Sequence, residues 1–315
     1  MLSISPPMKG VGHADYYLEL ARQDYYNSQG AEPGRWFGTG AERLGLRGTV
    51  QTKAYENSLW GRSADGKHRL VQNADDPDRQ TAWDLTLSAP KSVSVLWASA
   101  PEDVRRAIER AHRHAVETAL RFIEEAAGIT RRGKAGAWRE HVDLVFATFF
   151  HICSRAFDMQ IHSHCLLINL GVRQDDTTGS LWSRDVFRAK MTAGAIYQVQ
   201  FAADLGQDLG LAIAPDRIGF QIEGVPKTLC RANSKRRQAI EAALDERGAT
   251  DAVSAKTATL ETRPRKESIS RAELFARWRA TCEAHGWTAA HAARLVGNSR
   301  SQPCSHQALA KAFKV

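Results

Sequence analysis

The sequence contains no apolar run approaching the roughly 20 residues needed to span a bilayer. Its opening, Met1-Leu2-Ser3-Ile4-Ser5-Pro6-Pro7, lacks the basic-then-apolar layout of a secretory signal. Cysteine is scarce. The five residues (153, 165, 230, 282 and 304) are odd in number and include no Cys-x-x-Cys pair. That argues against a disulfide framework and for reduced thiols in the cytosol. Internal repeats and long low-complexity tracts are absent, which excludes solenoids and arrays. A phosphate-binding loop is absent too. Gly61 to Lys67 spells G-x-x-x-x-G-K, but His68 stands where a magnesium-holding Ser or Thr belongs, and no apolar strand precedes it. A turn at Asp65-Gly66 explains the segment better. With no other such motif, the expectation is that a helicase part is missing, as in an excised domain or a short relative.

What is present fits a soluble globular chain. Its 315 residues suffice for one large domain or two smaller ones, and 43% hydrophobic with 25% charged content is ordinary. The net charge of +8 is unevenly placed. Residues 1–226 hold 26 Lys+Arg against 27 Asp+Glu, whereas residues 227–315 hold 17 against 8. A solvated basic tail is the plain reading. The functional reading is a phosphate-binding element beside a near-neutral body.

The most informative stretch runs from Leu144 to Ile168. Leu144–His151 and Ile161–Ile168 read as strands, joined by a loop from Ser154 to Gln160. Residues i and i+2 of a strand share a face, so His162 and His164 point the same way. If the strands pair antiparallel, His151 joins them. Three imidazoles on one face make an open metal site with positions left for water or substrate. Cys153 reads as a small buried thiol rather than a fourth ligand.

Around this hairpin the pattern predicts a helix near 51–60 and a strand from residue 82 to the loop at Ser88-Ala89-Pro90-Lys91. A second strand or a helix start follows. Asp84 faces away from Leu85 and Leu87, as a surface carboxylate commonly does. A strong amphipathic helix spans 101–127, with Pro101 at its start and Gly128 at its end. Residues 130–140 form a basic hairpin tip, 172–179 a polar turn, 185–209 a second long helix and 218–225 a last short strand. From Pro226 onward helices alone are expected, over 226–247, 252–261, 270–285 and 304–313. Near the start, Tyr16-Tyr17 and Tyr25-Tyr26 lie on a polar, helix-compatible stretch. Aromatic pairs usually pack, but paired tyrosines so near a terminus are candidate nucleophiles.

These residues resemble a known family, the TrwC/TraI-type conjugative relaxases of the F-type mobilisation branch of HUH endonucleases. The resemblance covers nearly the whole chain. It is carried by the tyrosine pairs, Gly38-Thr39-Gly40-Ala41-Glu42-Arg43-Leu44-Gly45-Leu46, Asp84-Leu85-Thr86-Leu87-Ser88-Ala89-Pro90-Lys91-Ser92-Val93-Ser94, and Gln160-Ile161-His162-Ser163-His164. It implies metal-dependent cleavage of single-stranded DNA at a nic site, giving a 5′-phosphotyrosine and a free 3′-hydroxyl. Carried over, Tyr16 resembles the principal nucleophile and Tyr25 the second, with Tyr17 and Tyr26 as partners. His151, His162 and His164 resemble the metal ligands, for magnesium, manganese or zinc. Asp84 resembles the carboxylate that orients a ligand histidine and takes the tyrosine proton.

The expected fold is α+β, a two-layer sandwich with a central antiparallel sheet carrying the His-x-His site. Residues 1–225 would form the catalytic core and residues 226–315 a basic helical, finger-like DNA clamp. Expected partners are origin-of-transfer DNA with an adjacent inverted repeat, relaxosome accessory proteins and a coupling protein. The enzyme would act as a cytoplasmic monomer without membrane insertion. A rolling-circle replication initiator usually carries its tyrosines after the histidines, the reverse of the order here. A non-catalytic metal-containing DNA-binding module would not need the tyrosines or Asp84. A small-molecule metal hydrolase would leave the basic C-terminal quarter unexplained.

Overall fold

The computed structural model describes residues 1–10, 12, 34–216, 219–246 and 269–298. A seven-stranded antiparallel sheet forms the centre. Strands β1 (Leu2–Ile4), β2 (Met8–Lys9), β3 (Arg35–Phe37), β4 (Gln80–Ser88), β7 (Asp143–Cys153), β8 (Met159–Val172) and β9 (Thr178–Gly179) contribute to it. The order is β1-β4-β8-β7-β3, with β2 alongside β4 and β9 alongside β8. The longest strands, β7 and β8, occupy the middle; β7 is rich in β-branched and aromatic residues, and β8 is mostly apolar beyond His164.

One face packs against two long helices, α4 (Glu102–Ala127) and α5 (Arg184–Leu209), and α3 (Lys91–Ser99) sits at one end of this layer. The boundaries of α4 follow the sequence signals, with Pro101 before its first residue and Gly128 after its last. Helix α5 ends at Gly210, whose φ of 58° is left-handed. The segment after Pro90 resolves as a helix rather than a strand. The opposite sheet face carries a second, smaller core. There Trp36 together with Tyr55 and Leu59 of α2 (Thr52–Leu59) covers Val145, Ala147, Leu166 and Ile168. That cover lies over one end of the face. The histidines lie toward the other end.

A short helix, α1 (Thr39–Arg43), is clamped to the sheet by Glu124 of α4. The Glu124 carboxylate accepts from the Thr39 amide at 3.0 Å, the Thr39 hydroxyl at 3.2 Å and the Leu144 amide at 2.7 Å. Gly38 has a φ of 105°, and a Cβ there would lie 2.4 Å from the Leu144 carbonyl. The glycine is what permits the approach.

The basic tip is a two-stranded ribbon, β5 (Ile129–Arg132) and β6 (Trp138–His141). A second small ribbon pairs β10 (Ile213–Asp216) with β11 (Gly219–Ile222). Only β11 was expected. The proline and aspartate in β10 hide it, because a two-stranded edge tolerates residues that a central strand does not.

The C-terminal part is helical among the described residues: α6 (Lys227–Ala232), α7 (Lys235–Glu246), α8 (Arg271–Ala284) and α9 (Ala289–Leu295). The single helix expected over 226–247 is interrupted at Asn233, where Asn233 and Ser234 turn back onto Leu229 and Arg231. Helix α9 was not anticipated, and the segments expected at 252–261 and 304–313 lie outside the described residues. Two tryptophans fasten these helices. Trp278 Nε1 donates to the Phe157 carbonyl at 2.7 Å, and Trp287 Nε1 donates to Ser99 Oγ at 2.8 Å. No helix among the described residues is long and apolar enough to cross a membrane.

Candidate metal centre and nucleic-acid face

The β7–β8 hairpin closes through Ser154–Asp158. The Ser154 amide donates to the Asp158 carbonyl at 3.0 Å, and Ser154 Oγ accepts from the amides of Ala156 and Asp158. Phe157 takes the left-handed step with φ of 57°. This turn sets the register so that His151 is directly opposite His162. His164 lies two residues along β8 on the same face. One ring nitrogen from each histidine lies within 4.8 Å of the others, and the ring centroids are 5.0–5.3 Å apart. Small side-chain rotations would bring such a set to metal-bonding distance.

Two of the rings are oriented from behind. His162 Nδ1 donates to the Gln160 carbonyl at 2.9 Å, and His164 Nδ1 donates to Asp84 Oδ2 at 2.7 Å. Each bond assigns the Nδ1–H tautomer and leaves Nε2 as the lone-pair nitrogen. The Thr86 hydroxyl, directly across from His164, donates to Asp84 Oδ1 at 3.1 Å. Asp84 is therefore not a surface carboxylate. It is 8% exposed and built into the histidine cluster. Burial, followed by the adjacent imidazoles, pushes His151 well below the usual histidine range. Burial, then His164, pushes the half-buried His162 down to about 3. Both are neutral at pH 7, which is the ligand form. The donor set and its orienting partners thus fit a divalent ion with open positions.

Tyr16, Tyr17, Tyr25 and Tyr26 lie outside the described residues. Cys153 is half-buried. Two contacts at the tip of the β7–β8 hairpin escaped the sequence reading. Lys91 Nζ donates to the Met159 carbonyl at 2.8 Å, and burial lowers its ammonium to about 8. Asp158 Oδ2 accepts the Lys235 amide at 3.0 Å, tying the start of α7 to the hairpin tip. Both contacts join segments far apart in sequence, and no local pattern marks them.

The β5–β6 ribbon presents a different surface. Arg139, Arg131 and Arg184 stack on Trp182 at 4.5, 4.8 and 5.2 Å from its ring centroid. Trp138 at the ribbon end is 55% exposed. The ribbon is braced by Arg132–Asp175 at 2.7 Å and Arg173–Glu140 at 2.6 Å. Cationic planes stacked on an aromatic ring, beside an exposed tryptophan, suit phosphates and bases.

The chain thus combines an antiparallel sheet carrying a tri-histidine face with flanking helices and a basic ribbon, and known proteins match it. The TrwC relaxase family model matches residues 11–285, so the chain belongs to the TrwC relaxase family. The multifunctional conjugation protein TraI of Escherichia coli is 30% identical, with 91% of this chain covered. TraI of strain K12 is 29% identical over the same share. The chain spans only 16% of the length of either relative. Among solved structures, the conjugative relaxase TrwC in complex with oriT DNA superposes with a TM-score of 0.82 at 30% identity, covering 91% of this chain and 99% of that one. A metal-bound TrwC–oriT structure gives 0.81 at 30% identity, with the same coverage. TrwC with a 27-mer comprising the recognition hairpin and the cleavage site gives 0.78 at 28% identity, again with that coverage.

Proposed function

We propose that this chain is a conjugative relaxase, which cleaves one strand of origin-of-transfer DNA at a nic site and transfers or rejoins it. The observation that carries the reading is the convergence of His151, His162 and His164 with Asp84 behind His164. Family membership and the likeness to DNA-bound and metal-bound TrwC support it.

In this reading the three histidines hold a divalent ion, magnesium, manganese or zinc. When bound, the ion polarises a phosphoryl oxygen and stabilises charge gathering on phosphorus. Tyr16 is the nucleophile. Its Oη bonds to phosphorus while the bond from phosphorus to O3′ breaks, leaving a 5′-phosphotyrosine and a free 3′-hydroxyl. A phenol with a pKa of about 10 lies roughly 4 kcal/mol from its phenolate at pH 7. Asp84 helps to accept that proton while holding His164. Tyr25 acts in a later strand transfer, with Tyr17 and Tyr26 as partners. A tyrosine ester keeps the connectivity of a phosphodiester, so the 3′-hydroxyl can reverse the step.

Residues 1–225 form the catalytic core in this reading, and 226–315 a basic clamp over DNA. The ribbon with Trp182 and the Gly34–Gly48 stretch grip the duplex stem of the inverted repeat. Accessory and coupling proteins of the relaxosome complete the partners, with the enzyme a monomer on DNA. A cytoplasmic location accords with the unbridged cysteines among the described residues.

The test is to incubate the protein with labelled single-stranded origin oligonucleotides and a divalent ion. A covalent protein–DNA adduct is expected, lost in Tyr16→Phe and on chelation, while stem binding persists. An adduct retained in Tyr16→Phe and lost in Tyr25→Phe would reverse the two roles. Absence of any adduct would end the reading.

A further inference from the structure

Ser163 lies between His162 and His164 and points to the other side of the sheet, into the layer of α4 and α5. Its neighbours on that face are apolar. Ile161, Cys165 and Leu167 on β8 are fully buried, as is Leu87 directly across on β4, with Phe150 across on β7. An aliphatic residue would be the default here. Instead Ser163 Oγ meets Nε2 of His112 at 2.9 Å, and His112 Nδ1 meets the Tyr197 hydroxyl at 2.9 Å. Ser163 is 6%, His112 1% and Tyr197 0% exposed.

Three polar side chains in an apolar core gain little net stability even when every bond is made, and lose much if one is missing. What they add is a single geometry. Burial pushes His112 down to about 3, so the ring is neutral, with one N–H and one lone pair. It therefore donates to one neighbour and accepts from the other. Phe150, Tyr197 and Phe201 surround it, each with ring centroids 5.6 Å away, so the imidazole cannot turn aside. Its two anchors, α4 and α5, are helices of 26 residues each.

We propose that His112 is a positioning residue for the metal centre. It rests on the reading of His151, His162 and His164 as ligands. Through Ser163 it sets the height and pitch of the β8 segment whose adjacent residues carry two of the three imidazoles, and Tyr197 holds His112 in place. A strand pinned at its central residue on one face cannot shift on the other, where a site tolerates only about 0.5 Å of misplacement.

Cobalt(II) is the probe, because its visible absorption reports ligand geometry independently of catalysis. Ser163→Ala is expected to weaken cobalt binding by about 10–100-fold, the range for lost outer partners, and to alter the absorption bands. His112→Gln, whose amide replaces the Nε2 contact, is expected to recover most of the affinity, and His112→Leu none. The unfolding midpoint of the metal-free protein is measured alongside. Parental affinity and spectrum in Ser163→Ala, with only the midpoint moved, would show a packing role and overturn the proposal. His162→Ala separates the two levels. Weakened binding in His162→Ala with parental binding in Ser163→Ala overturns the positioning role alone, whereas parental binding in both removes the metal reading and this proposal with it.

Discussion

The two faces of β8 follow opposite rules. On one, His162 and His164 stay half-buried beside His151, oriented by Gln160 and Asp84. On the other, Ile161, Cys165 and Leu167 are sealed under α4 and α5, and the polar Ser163 stands among them. One face trades packing for open coordination positions, and the other supplies the stiffness that makes those positions useful. The comparison teaches that the histidine face cannot be understood from its own residues.

The sharpest way to break this contrast is to remove an imidazole from the open face. His162→Ala is expected to reduce adduct formation by more than the about 10–100-fold that an outer partner costs. Its effect on the unfolding midpoint should be small, as chemistry and stability are separated across the strand. Cleavage and thermal-unfolding assays on the same preparation check this. On the sealed face the expectation inverts. Phe201, fully buried against His112, Tyr197 and Phe220, should cost about 3–5 kcal/mol on truncation to alanine. Urea unfolding measures that loss.

A finer probe is Asp84→Asn, which keeps the shape of the side chain but removes the carboxylate that accepts from His164 and Thr86. Metal affinity and adduct formation are expected to fall by about 10–100-fold, with folding retained. The mildest probe is pH. His112 has an ordinary value of 6.5 when unfolded and about 3 when folded. The unfolded chain therefore takes up protons that the folded one refuses. Stability is intact above about pH 6.5 and is lost progressively as pH falls from there toward 3. The urea midpoint should follow that course, and more shallowly in His112→Gln. A midpoint that rose on acidification would contradict the buried neutral imidazole.

Much of the open face was legible in the sequence. Period-2 alternation put His162 and His164 on one side, and the short connection through Ser154–Asp158 brought His151 opposite. Helix α4 was readable from its apolar spacing and its flanking Pro101 and Gly128. Asp84 was harder. Alternation showed which way it faced but not what it met, because its partner His164 is 80 residues away; the family resemblance alone implied that it orients a ligand histidine. His112 looked like any residue of an amphipathic helix. Its importance arises from contacts with Ser163 and Tyr197, 51 and 85 residues distant. The break at Asn233 was likewise invisible to a helical pattern that continues through it.

By itself the chain's order of residues determined its local periodicities: which side chains share a strand face, where the long helices begin and end, and where positive charge collects. Those depend on neighbours a few positions apart. The tertiary structure alone decided which histidine Asp84 meets, His164, that Glu124 clamps the Gly38–Gly40 turn, and that His112 stands behind Ser163. Each of these is a hydrogen bond between segments brought together by burial of the sheet faces. A bond of that kind has no period in the sequence, because its partners become neighbours only when water is excluded between the layers.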